Sequence, residues 1–131
     1  MRRAALALCL AAGLGACSRP AELVFDPPDW HLGSIPSYRV ARKQVEIRNP
    51  GTKQVGIRFV SSCDCLYVDE SPTQLAAGAA APLELSYDPA GQSGFVEAAL
   101  IVVAGKGRRE SRTALRVFGK VLPASGELSP P

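Results

Sequence analysis

One histidine stands in 131 residues, beside one methionine and one tryptophan. With His31 as the sole imidazole, most acid–base and nucleophilic chemistry near neutral pH lacks its usual carrier. Ser61 and Ser62 could join His31 in a hydrolytic triad, but no nucleophile-elbow sequence accompanies them. Charge of one sign is scarce too. The formal charge is +3, and without Arg2 and Arg3 thirteen basic residues face twelve acidic ones. That balance argues against nucleic-acid binding, which needs a concentrated basic face. No apolar run reaches the roughly 20 residues of a membrane-spanning helix. There is no internal repeat and no long amphipathic pattern. The length suits one domain, because a second would be too small to bury its own core. No enzyme chemistry is expected.

What is present begins with an address. Met1-Arg2-Arg3 is a positive start, and Ala4 to Leu14 is apolar apart from Gly13. As a helix this run would span roughly 16 Å, about half a bilayer core, which fits a secretory signal. Leu14-Gly15-Ala16-Cys17 closes it and resembles the bacterial lipobox, in which small residues precede a cysteine whose thiol receives diacylglycerol. The resemblance implies cleavage after residues 1–16 and acylation of Cys17, with 17–22 as a lipidated tether. Several acyl chains anchor durably where one does not. Ser18, rather than Asp, follows the cysteine, which by likeness to Gram-negative lipoproteins favours the periplasmic face of the outer membrane over the inner one.

The body, 23–122, reads as all-β. Val45 and Ile47 alternate with Glu46 and Arg48; Val55, Ile57 and Phe59 with Gly56 and Arg58; Leu83, Leu85 and Tyr87 with Glu84 and Ser86; Leu115 and Val117 with Arg116. Period-two patterning with one charged face marks half-buried antiparallel strands. Leu23-Val24-Phe25 and Trp30 to Ile35 are shorter β-prone runs. Phe95 to Val103 is apolar on both sides and suits a central strand, although Ala98-Ala99 would also fit a helix. Asn49-Pro50-Gly51-Thr52 has the form of a type II turn, with Gly51 at positive φ. Thr73 to Ala81 is Ala-rich but holds Gly78 and precedes Pro82, so it reads as a loop. The tail 123–131 is polar and Pro-rich and is expected to be disordered. About seven strands over such a length suggest a single immunoglobulin-like antiparallel β-sandwich, with a small barrel as the alternative. The aromatic residues Phe25, Trp30, Phe59, Tyr87 and Phe118 are expected in or near its core.

Several segments together resemble a known family: Leu32-Gly33-Ser34-Ile35, Val45 to Gly51, Val60-Ser61-Ser62-Cys63-Asp64-Cys65, Leu75-Ala76-Ala77-Gly78, Leu83 to Asp88, and Gly94. The chain from Phe25 to Val121 is similar to the bacterial domain-of-unknown-function family numbered fifteen seventy-three, related to the Hydin-type and major-sperm-protein-like immunoglobulin-like domains. Asp64 stands where that family usually has glycine. The resemblance implies a β-sandwich, often secreted or lipid-anchored, and no established reaction.

Cys63 and Cys65 are the thiols left once Cys9 is cleaved off and Cys17 acylated. Three readings are open. A local disulfide needs a turn at Asp64, because extended residues two apart hold their Cβ atoms beyond the roughly 3.8 Å that a bridge requires. A soft-metal site could take Cu(I), or half of a zinc site with His31 and carboxylates completing it. Otherwise both sulfurs simply pack at the sandwich edge. Arg108-Arg109 and Arg112 to Arg116 could form a basic stripe or a solvated edge that discourages strand pairing. The function this supports is a non-enzymatic, lipid-anchored binding or scaffold module of the cell envelope, without cofactor and with an envelope protein as partner. The alternative is a periplasmic thiol-redox or copper-handling protein acting through Cys63 and Cys65.

Overall fold

Alternation decides the fold because each strand has one face that water rejects. In a computed structural model that describes residues 21–123, Val45, Ile47, Leu83, Leu85, Leu115 and Val117 all point inward and are essentially fully covered, while Arg42, Arg48, Glu84 and Arg116 lie outside. Each covered Leu or Ile contributes on the order of 2 kcal/mol relative to exposure. The expected signal segment 1–16, Cys17 with the first part of the expected tether, and the tail from 124 lie outside the described residues. Among the described residues no helix is long and apolar enough to cross a membrane.

Among the described residues nine strands follow in chain order: β1 (Val24–Asp26), β2 (Asp29–Pro36), β3 (Ala41–Arg48), β4 (Val55–Ser61), β5 (Leu66–Glu70), β6 (Gln74–Leu75), β7 (Ala80–Tyr87), β8 (Gly94–Ala104) and β9 (Ser111–Leu122). One 3₁₀ turn, Gly107–Arg109, precedes β9. They form two sheets, β1-β3-β7-β5 and β2-β9-β8-β4-β6, packed as an immunoglobulin-like sandwich. The count exceeds the expected seven or so for two reasons. β1 and β2 are halves of one edge segment that changes sheet across Pro27-Pro28, where neither residue can donate to a ladder. β6 is only two residues, bridging Val55 and Gly56.

β8 is the central strand that its apolar run suggested, paired over its whole length with β9 and, through Leu100 to Ala104, with Ile57 to Ser61 of β4. β2 departs from the antiparallel rule, running parallel to β9 with a bulge between His31 and Gly33. Gly119 makes this pairing possible. A Cβ there would stand 2.6 Å from the Leu32 Cβ and 2.7 Å from the Gly33 carbonyl. Of the aromatic residues, Phe25, Trp30 and Tyr87 are core, and Phe59 and Phe118 are half-buried.

Two local expectations need correction. Gly51 does not adopt positive φ, so Asn49 to Thr52 is not the type II turn that its residues suggested. The glycine is there for space: a Cβ would lie 3.1 Å from Asn49 Oδ1 and 3.0 Å from the Ala21 Cβ. The Ala-rich 73–81 segment is not wholly loop. It carries β6, a tight turn closed by the Ala79 N–H on the Ala76 carbonyl at 3.0 Å, and the first residues of β7. Pairing with β3 through Ile47 and Arg48 overrides the weak β-propensity of alanine.

Candidate binding site

Asn49 sets one end of the molecule. It is fully buried, and its Nδ2 donates to the carbonyls of Lys53 (2.8 Å), Leu75 (3.1 Å) and Ala76 (3.2 Å). Its Oδ1 accepts the Gly51 N–H at 2.9 Å, and its own N–H reaches the Ala79 carbonyl at 2.8 Å. One amide therefore fixes the β3–β4 turn against the β6–β7 turn and holds β6 on β4.

Because β6 is so short, it covers only the start of β4. The Ile57 N–H is taken by the Thr73 carbonyl at 2.9 Å. Alternation sends the same backbone groups of Phe59 and Ser61 to that side, where no described strand follows. β5, across the gap in the other sheet, pairs only with β7. Between the two open edges lies a cleft of about 420 Å³ lined by Phe59, Leu66, Val68, Pro72 and Leu100, with Arg58 and Tyr67 at its lining as well. Asp69 and Glu70 mark the far end of β5, where Asp69 accepts the Ser86 hydroxyl at 2.5 Å.

The Ser62–Cys65 crossover joins these two edges and closes the cleft at the end opposite Asn49. Ser62 is bound on both sides to Ala99 of β8, its N–H at 2.9 Å and its hydroxyl accepting at 2.8 Å. The Ser61 hydroxyl donates to the Cys63 carbonyl at 2.7 Å, and the Cys65 carbonyl accepts the Asp88 N–H at 2.7 Å. A turn from Cys63 to Leu66 runs through Asp64, and a disulfide joins Cys63 to Cys65 with Cα atoms 5.2 Å apart. The turn is built without positive φ at Asp64, so aspartate replaces the usual glycine without backbone strain. Both sulfurs pack on the core's rim, and the ring of Tyr87 lies buried beneath this end. Burial pushes the Tyr87 phenol above its ordinary value of 10.0, and the hydrogen bond to Gln92 at 2.5 Å pulls the other way.

His31 is not brought to the cysteines. It sits on β2, at the opposite edge of its sheet from β4, with its ring edge-on to Phe118 at 4.3 Å. Among the described residues no three His, Cys, Asp or Glu side chains converge as a metal-ligand set. Ser61 and Ser62 are spent on the crossover, far in the sheet order from His31. Arg112 and Arg116 do lie in one row on β9, paired with Glu110 (3.4 Å) and Glu97 (3.7 Å), while Arg108 and Arg109 belong to the 3₁₀ turn. Sequence reasoning did not find the cleft. Leu66-Tyr67-Val68 was its one visible signal, and nothing local says that β6 would end after two residues.

Solved structures resemble the sandwich at low identity. The ASH/PapD-like domain of human CEP192 superposes with a TM-score of 0.67 at 9% identity, over 81% of this chain and 89% of that one. SSP-19, an MSP-domain protein of Caenorhabditis elegans, gives 0.59 at 12% identity over 74% and 98%. A chain of the CsuC–CsuE chaperone–tip adhesion subunit pre-assembly complex of Acinetobacter baumannii gives 0.55 at 14% identity, over 77% of this chain and 57% of that one. These likenesses establish a PapD-like and MSP-like fold. No curated protein matches the chain. Residues 23–121, from the residue before β1 almost to the end of β9, match one family throughout, and the chain belongs to it: the family described as Protein of unknown function (DUF1573).

Proposed function

We propose that this chain is a lipid-anchored, non-enzymatic binding module of the bacterial cell envelope, tethered through Cys17 at the periplasmic face of the outer membrane. Its cleft between β4 and β5 takes an extended segment of a protein partner. The carrying observation is the pair of strand edges flanking an apolar cleft, with the backbone groups of Phe59 and Ser61 unspent among the described residues. An incoming strand gains main-chain hydrogen bonds from such an edge and seats alternate side chains in the cleft. The disulfide crossover is a clip in this reading: it fixes where β4 ends and β5 begins, and so sets the closed end of the cleft. The lipid anchor is supported by Leu14-Gly15-Ala16-Cys17 behind a short apolar run, and the outer-membrane placement by Ser18.

A photo-reactive amino acid at Tyr67 or Ser71, compared with one at His31, tests the site in intact cells. The expected result is a discrete adduct from the cleft positions that Val68→Lys abolishes. Equal labelling from His31, or labelling insensitive to Val68→Lys, overturns the assignment. Intact mass of the native protein tests the anchor: it should start at an acylated Cys17, and a retained Met1 would refute it.

A further inference from the structure

The fold brings Lys53 to the end of the molecule that carries Lys106, Arg108 and Arg109, three cations already close in the sequence. Lys53 of the β3–β4 turn and Lys106 and Arg109 of the β8–β9 connection line a concave surface of about 560 Å³, with Gly51, Gly56 and Gly105 as side-chain-free floor. Arg108 stands exposed beside them. Among the described residues none of the four makes an ion pair. Glu110 is already engaged by Arg58 at 2.6 Å and Arg112 at 3.4 Å, and Glu22 is the other acidic residue in these segments. Ala21 lines the same concavity. The body thus begins where the basic cluster lies, while the Cys63–Cys65 crossover is at the opposite end, since β4 runs away from the Asn49 turn toward it.

From these placements we infer that the Lys53/Lys106/Arg108/Arg109 end is a docking surface for anionic phospholipid headgroups. The inference rests on the lipid-anchor reading for its geometry. Four residue steps separate Cys17 from Ala21, a reach of roughly 14 Å at full extension. An acylated Cys17 therefore keeps this end within about one or two Debye lengths of the bilayer. The four cations then meet headgroup phosphates, and the domain stands with its crossover turned toward the periplasm. Overall charge cannot supply this preference, because the chain beyond Arg3 is almost neutral. It comes from clustering at the tethered end.

The test uses residues 18–131, which keep every core residue and omit the acyl chains, floated with vesicles of phosphatidylglycerol or of phosphatidylcholine. The chain should partition onto the anionic vesicles alone, and less at high salt. Each cation at an anionic surface is worth about fivefold, so K53Q/K106Q/R109Q should lose roughly a hundredfold. R39Q/R42Q, which removes two charges away from the cluster, should lose little; equal loss would overturn the docking surface in favour of general attraction. No preference for phosphatidylglycerol overturns it as well, as does release of the chain by inorganic phosphate at unchanged ionic strength, which would assign the cluster to a soluble ion. The mass of native Cys17 is read independently. An acylated protein without vesicle preference refutes the docking surface and leaves the anchor standing. A non-acylated protein that still prefers anionic vesicles refutes the anchor and leaves the basic end as a lipid-binding surface.

Discussion

Replacing Asn49 by alanine should cost about 3 kcal/mol, more than any single hydrogen bond would suggest. The side chain shares its two amide hydrogens among three carbonyls and accepts one N–H while fully buried. Its loss exposes the Lys53 and Ala76 carbonyls to partial resolvation, but the Leu75 carbonyl sits in a buried contact and keeps the full desolvation penalty. One such orphan costs about 1–3 kcal/mol, and the weaker losses at the rim bring the sum near 3. For a domain of this size that lowers Tm by about 12–20 °C. Urea unfolding followed through the fluorescence of Trp30, itself buried, reads the change directly. N49D sharpens the reasoning. A carboxylate keeps the bond from the Gly51 N–H on one oxygen but turns the other, an acceptor, toward three carbonyls, so this variant should be at least as unstable as N49A at pH 7. Its carboxyl is favoured neutral in the fold, so its pKa is raised above the unfolded value. The folded state then binds more protons than the unfolded one, and the deficit relative to wild type should shrink as pH falls from 7 toward 4. N49A within about 1 kcal/mol of wild type, or an N49D deficit that is flat with pH, would refute the view that this amide ties the two turns together.

Other outcomes follow from the same geometry. Gly119→Ala forces a Cβ to 2.6 Å from Leu32 and should cost roughly 2–3 kcal/mol in denaturant unfolding, whereas Gly56→Ala, with only the Thr73 carbonyl 3.9 Å away, should be close to neutral. Removing the disulfide with Cys63→Ser and Cys65→Ser should cost only about 1–2 kcal/mol, because so short a ring takes little entropy from the unfolded chain; a thermal melt with and without reductant checks this. Stability should hold below pH 10 and fall above it, since the raised Tyr87 pKa means that the folded state keeps its proton after the unfolded chain has lost it. Tyr87→Phe should lose about 1 kcal/mol at neutral pH with the bond to Gln92, yet decline less steeply in alkali.

The strands whose alternation is clean were legible residue by residue. Val45 and Ile47, Leu83 and Leu85, Leu115 and Val117 face the core as their spacing requires, because a one-residue slip would turn each charged neighbour inward. β8 was legible as a central strand from its two-sided apolar run. The candidate site was legible only in part. The Ser61-to-Cys65 segment stood out in the sequence, but Gly51 was misjudged, since a glycine needed for close approach looks the same in sequence as one needed for positive φ. The alanines of 73–81 carry almost no intrinsic preference, so their partners in β3 and β4 decided their state.

The amino-acid order alone determined the β class and the inward set of side chains, because each depends on neighbours within a few positions. Tertiary structure alone decided which loops share an end. The Asn49 amide finds acceptors twenty-six and twenty-seven residues away, β2 and β6 end as opposite edges of one sheet, and Lys53 meets Lys106 and Arg109 across two turns. Hydrogen-bond saturation and sheet order set those distances, and neither is a property of any stretch of chain by itself.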